Sequence, residues 1–142
     1  MLEVERRALT QVKRLARTAL ATVSQAFGAD VREEQELLAH IANIVIECYA
    51  VESAIGRAEK ITARGSDLSP IAVDIARIYT SDAIDRVAHA GKQLVNALTR
   101  RVEQLDMLTD DVARVREQPG TDTVAARRRI ADAAITRSRY LF

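Results

Sequence analysis

Apolar residues along this chain recur at intervals of three and four, and the few chain breakers fall between the periodic stretches. From about Glu3 to Phe27 the stripe is Leu9, Val12, Ala16, Ala19 with Leu20, Val23 and Phe27. Gly28 closes it, since glycine readily takes the left-handed conformation that ends helices. Asp30 is placed to cap a second helix, with Glu33 and Glu34 in a first turn where the dipole favours acids. That helix runs to about Ala63, stops at Gly65 and, at ~1.5 Å per residue, approaches 50 Å in length. Between Ile41 and Val51 it is apolar on nearly every side. Leu37, Ile41, Ile44, Val45, Cys48 and Ile55 make one face, and Ala42, Ile46, Tyr49 and Ala50 make another. Such a pattern predicts a spine covered all round.

Ser69-Pro70 opens a third helix, because proline at the first helical position needs no N–H and already has the right φ. It extends to about Leu98 with Ala76, Tyr79, Ala83, Val87, Ala90, Leu94 and Leu98 inward. A shorter helix over about Val102 to Val115 carries Leu105, Leu108, Val112 and Val115. After Pro119-Gly120, Thr121 or Asp122 caps a last helix from Thr123 to about Ser138. No stretch alternates with period two. The pattern predicts an all-α, up-and-down bundle of three long helices plus two shorter C-terminal helices, in one domain over residues 1–142.

Composition narrows the chemistry. Aromatics are 4% of the 142 residues and tryptophan is absent, so the core must be Ala, Val, Leu and Ile. A net charge of +1 supplies no basic surplus for nucleic acid and no polybasic membrane anchor. Cys48 is the single cysteine, so no intramolecular disulfide can form. Met1-Leu2-Glu3-Val4-Glu5 is charged where a secretory leader is apolar, and the longest uncharged apolar run, Leu37 to Ile46, is short of the ~20 residues of a membrane span. The expectation is a cytoplasmic chain with no span.

Candidate reactive groups are few. Di-iron bundles use Glu-x-x-His pairs, whereas Glu36/His40 and Asp85/His89 are spaced i, i+4 and read as partly exposed histidines beside carboxylates. Cys48 sits mid-stripe, where a thiol is inert filler. Five scattered glycines assemble no nucleotide fingerprint. The run Arg127-Arg128-Arg129 reads as solvated surface with one inward ion pair rather than an anion site. Glu52 falls in line with Ile41, Val45, Cys48 and Ile55, and a carboxylate buried there must be paired. Asp82 interrupts the third helix's stripe, with Arg86 one turn on. A buried structural network of Glu52, Asp82, Arg86 and Arg128, joining the second, third and last helices, is therefore expected. No residue is assigned a catalytic, cofactor-binding or metal-binding role.

Three segments in order then carry a resemblance. EEQELLAHIANIVIECYAVESAIGRAEK (Glu33 to Lys60), IARIYTSDAIDRVAHAGKQLVNAL (Ile75 to Leu98) and RRRIADAAITRSRYLF (Arg127 to Phe142) resemble successive helices of the C-terminal extension of very-long-chain-type acyl-CoA dehydrogenases. Complete members of that family are flavoenzymes that desaturate acyl-CoA thioesters with FAD, and their catalytic glutamate, FAD site and acyl pocket lie in an upstream body. The resemblance therefore implies a non-catalytic packing or interaction domain of a fatty-acid β-oxidation enzyme. FAD would sit in the parent enzyme rather than in this chain, and the catalytic body would be the partner. The alternative reading is a free-standing four-helix bundle that binds a small ligand or metal. Apolar surface left without that body predicts a homodimer, formed through Val4 and Leu15 of the first helix and the terminal Tyr140, Leu141 and Phe142.

Overall fold

Helical periodicity with few breakers becomes, in the computed structural model of this chain, a stack of α-helices; residues 1–138 and Leu141 are described. Among the described residues the helices are α1 (Glu3–Phe27), α2 (Gln35–Ala63), α3 (Ser69–Leu98), α4 (Asp106–Arg116) and α5 (Thr123–Arg137), with no strand. Gly28 and Gly65 follow α1 and α2 with φ of 52° and 66°, the positive values expected of glycine stops.

Two boundaries differ from the expectation. Residues Gly28–Glu33 form a 3-10 helix, so α2 starts at Gln35 and no side chain caps it. Phe27 and Val31 pack against the core, and holding both inward uses the residues that a longer α2 would have claimed. Similarly α4 starts at Asp106 rather than Val102, because Val102 and Leu105 tuck against the core from the preceding connector. The start of α5 is as expected: the Asp122 carboxylate accepts a hydrogen bond from the Ala125 N–H at 2.9 Å.

Charge pairs between helices show their directions. Arg6 pairs with Glu59 and Lys13 with Glu52, so α1 and α2 are antiparallel. Arg86 of α3 pairs with Glu47 of α2, and Arg101 just past α3 pairs with Glu34 just before α2, making α2 and α3 antiparallel as well. α4 closes the ring by packing on α1 and α3, diagonally across from α2. α5 lies outside this ring against α3, with Ala126 its one buried residue. Two ion pairs to α3, Arg127–Asp82 and Arg129–Asp74, and a third, Arg137–Asp67, to the connector just before it hold α5 antiparallel to α3.

The core has two parts. One, around Leu15, Val23, Ile44, Leu94, Leu98, Leu108 and Val115, fills the end where α4 completes the ring. The other, around Leu2, Leu9, Val51, Ile55, Val73 and Ala76, fills the opposite end. α3 passes α4 so closely that a Cβ at Gly91 would meet Val112 Cγ2 at 2.7 Å and Leu15 Cδ2 at 3.3 Å. Glycine is what permits that approach.

α2 is not covered all round. It stands at a corner of the ring with α1 and α3 as its close neighbours among the described residues, and α4 packs on α1 and α3 rather than over its far side. Val45, Ile46 and Tyr49 are therefore 51%, 60% and 75% exposed.

Candidate docking surface

Among the described residues, the outward side of α2 carries three exposed apolar side chains, Val45, Ile46 and Tyr49. At 3.6 residues per turn, Leu37, Ile41, Ile44, Cys48, Val51 and Ile55 share the inner face, which turns Ala39, Ala42, Val45, Ile46, Tyr49 and Ser53 outward. By length and composition alone α2 could cross a membrane, with a mean hydropathy of 1.3 over its most apolar 18 residues, yet its inner face is a wall of the core. What the sequence presents as one continuous apolar helix is two surfaces, one used within the bundle and one unused.

A groove of ≈670 Å³ runs beside this face between α2 and α3, with Ile46 and His40 on one wall and Arg86 and His89 on the other. Its edge is held by a rigid polar group. Arg86 donates to both Glu47 carboxylate oxygens, Tyr79 Oη donates to Glu47 Oε2 at 2.9 Å, and the Arg86 guanidinium lies 5.4 Å from the centre of the Tyr79 ring. The Arg86 hydrogen bonds hold the Glu47 carboxyl below its ordinary range against the opposing effect of burial, and Tyr79 assists. The same pairing raises Arg86, while burial and then Glu47 raise the Tyr79 phenol.

A folded-state pKa below the unfolded one means that Glu47 contributes stability above the unfolded carboxylate range, and that this contribution is lost as pH falls through the folded value. Glu47→Gln is expected to cost about 1 kcal/mol at neutral pH. Thermal melts from neutral pH down through the carboxylate range should show the two proteins converging. A gap that stays constant with pH would show that the Glu47 charge is not what the pair depends on.

The expected polar network is not assembled. Glu52 is exposed and pairs with Lys13 of α1, not with an arginine of α3 or α5. It lies roughly 70° from the centre of the buried face, near enough to look inward in a linear reading and far enough to reach solvent. Glu52, exposed, and Glu59, partly exposed, are both carboxylates paired to α1, and their alanine variants should melt alike. Arg86 does bridge α3 to α2, through Glu47. Asp82 does bridge α3 to α5, but through Arg127 and at the surface. Arg128 is exposed with no ion pair among the described residues, while its neighbours Arg127 and Arg129 both turn to α3. The Ala126, Ile130, Ala133 spacing in α5 is the signal that would have turned Arg128 outward.

Of the expected interface residues, Leu15 is wholly buried and cannot meet a partner, and Val4 is 41% exposed. Leu141 is partly exposed, and Tyr140 and Phe142 lie outside the described residues. The Cys48 thiol is buried, which raises its pKa. Among the described residues, no three His, Cys, Asp or Glu side chains are grouped as a metal site.

The buried carboxylates that matter are ones the hydrophobic pattern did not single out. Asp74 is almost fully buried and takes two hydrogen bonds from Arg129, at 2.7 and 2.9 Å, a pairing that raises the guanidinium. Asp111 is 1% exposed. Its Oδ2 accepts from Thr18 Oγ1 at 2.7 Å, while Arg14 Nε stands 2.8 Å from Oδ1, out of line for a hydrogen bond. Glu5, also buried, faces Arg77 at 3.7 Å. These charges are consumed in holding helices together.

The fold and surface together define a four-helix ring with an appended fifth helix and one uncharged outer flank. Residues 7–114 match the family described as acyl-CoA dehydrogenase, C-terminal domain. The chain belongs to that family. It is 35% identical over 97 residues, 67% of its length, to a probable acyl-CoA dehydrogenase of Bacillus subtilis (strain 168), of which it spans 16%. The fold is also that of part of an acyl-CoA dehydrogenase from Bacillus anthracis, solved in complex with FAD. The TM-score is 0.89 at 23% identity, over 99% of this chain and 24% of that one.

Proposed function

We propose that this chain is the non-catalytic packing domain of an acyl-CoA dehydrogenase, supporting assembly of an enzyme of fatty-acid oxidation. The observation that carries the reading is the uncharged outer flank of α2 on a bundle whose buried charges are already paired within the chain. A reaction centre needs the reverse, polar groups held ready for a substrate.

The residues present do not fit FAD. The concavities are open grooves along helix seams, Gly28, Gly56, Gly65 and Gly120 stand singly beside open space, and Gly91 is filled against Val112. Among the described residues a dinucleotide would find no backbone cradle for its phosphates. FAD chemistry thus belongs to the remainder of the enzyme, and this chain's own residues fold and pack.

The purified chain should be colourless and should not reduce an electron acceptor when given acyl-CoA. Stoichiometric bound flavin, or turnover, would overturn the reading. A metal or ligand spectrum from the same preparation would instead support a free-standing ligand-binding bundle.

A further inference from the structure

We propose that α5 is a charge-latched strap, a helix that leaves the face of α3 and returns to it as a unit while the four-helix ring stays folded. Among the described residues α3 is the one helix on which α5 packs closely. α4, with 11 residues, buries Leu108, Asp111, Val112 and Val115, whereas α5, with 15, buries only Ala126. Beyond that contact its hold is charge. Arg127 on Asp82, Arg129 on Asp74 and Arg137 on Asp67 are spread along its length, and each arginine is partly open to water. α3 offers it one apolar residue between two acids. Asp74, Ile78 and Asp82 stand one turn apart, and Ile78 is buried although it belongs to neither part of the core. Its cover is α5.

A helix attached in this way can let go without stranding a charge. Asp74 is 4% exposed, and both of its hydrogen bonds come from Arg129. When α5 leaves, the arginine goes with it, but so does the cover, and Asp74 meets water with Arg77 3.9 Å away. Asp111 has no such escape, because α1 and α4 on either side of it both belong to the ring. A cavity of ≈460 Å³ already lies under the start of the strap, with Glu5, Asp74 and Arg77 below and Ala125 and Arg129 above. The connector 117–122 supplies the hinge. Pro119 and Gly120 are exposed there, and a Cβ at Gly120 would meet nothing within 4 Å, so the chain can turn without moving a packed side chain. The Asp122 cap on Ala125 lies on the α5 side of the hinge and travels with the helix. A helix of 15 residues is marginal alone in water, so release also frays it.

Hydrogen exchange of the whole chain, read segment by segment, tests the strap. The α5 amides should exchange at least about a hundredfold faster than the slowest amides of α4. Sub-denaturing urea speeds an opening in proportion to the surface it exposes, so it should hardly change α5 while it speeds α4. Raising sodium chloride from about 0.1 M to about 1 M shortens the screening length from ~10 to ~3 Å. Exchange over α5 should then quicken by about tenfold, since three partly exposed pairs weaken together. Arg129→Met should remove most of the remaining protection of α5 while α4 stays protected. Arg129→Met with Asp74→Leu should restore it, because an apolar pair then replaces the ion pair. Arg128→Met is the control; its arginine is exposed with no ion pair among the described residues, and its loss should leave α5 as it was. One slowest rate shared by α5 and α4, with one urea dependence, would overturn the proposal, since α5 would then open only with the whole bundle. Exchange over α5 that responds neither to salt nor to Arg129→Met would overturn the latch as well.

Discussion

Leu15→Ala should destabilise the bundle by about 3–5 kcal/mol, a cost typical of a fully enclosed leucine whose surroundings cannot close up. Leu15 has no exposed surface, and it sits at the point where α1, α3 and α4 converge. Its terminal methyl lies beside Gly91, which has no side chain to swing into the vacated space. For a domain of this size the loss corresponds to a fall in melting temperature of roughly 10–15 °C. Leu20→Ala on the same helix should change stability by no more than about 0.5 kcal/mol, since Leu20 is 51% exposed. Thermal and urea melts of the two variants decide the matter. Equal effects would mean that α1 presents Leu15 outward, as an interface helix would.

A comparable loss is expected when Asp111 is deprived of both partners. Arg14→Met with Thr18→Val leaves a 1% exposed carboxylate with no hydrogen bond and no counter-charge. Removing the partners of a buried charge typically costs about 3–5 kcal/mol. Arg14→Met alone should do less, because Thr18 still donates to Oδ2 and the arginine is half exposed. Adding Asp111→Leu to the double variant should restore much of the loss by replacing an unpaired charge with apolar volume. A denaturant series over the three proteins measures it. A third substitution that brings no recovery would show that the double variant fails for reasons other than the stranded carboxylate.

The sequence was sufficient for the class of fold, for five helices and for most of their ends. Helical periodicity, glycine stops at 28 and 65, the Ser69-Pro70 start and the Asp122 cap are local devices that act within one turn of the chain. The three-segment resemblance was legible for the same reason, because it resides in residue order. The direction of each helical face was not legible to better than about 60°. On α1 the stripe through Leu9, Val12, Ala16, Ala19, Leu20, Val23 and Phe27 is centred about 40° from the true inner face, which leaves Leu15 about 90° from the stripe's centre. It therefore turned Leu15 outward, whereas α4 arrives from the far end of the chain to cover it. On α2 the same uncertainty put Glu52 inside and hid the fact that Val45, Ile46 and Tyr49 are uncovered.

Which apolar side finds a neighbour is a property of where the other helices sit. That position depends on contacts such as Gly91 against Val112, between residues distant in sequence. Pairings such as Asp74 with Arg129 and Asp111 with Arg14 and Thr18 have the same origin, since the charge pattern of a helix shows which residues need a partner but not which partner is within 3 Å. The sequence by itself determined the helices and their family. Only the tertiary structure decided which apolar surface became core and which was left exposed, because burial is settled by packing between helices and not within them.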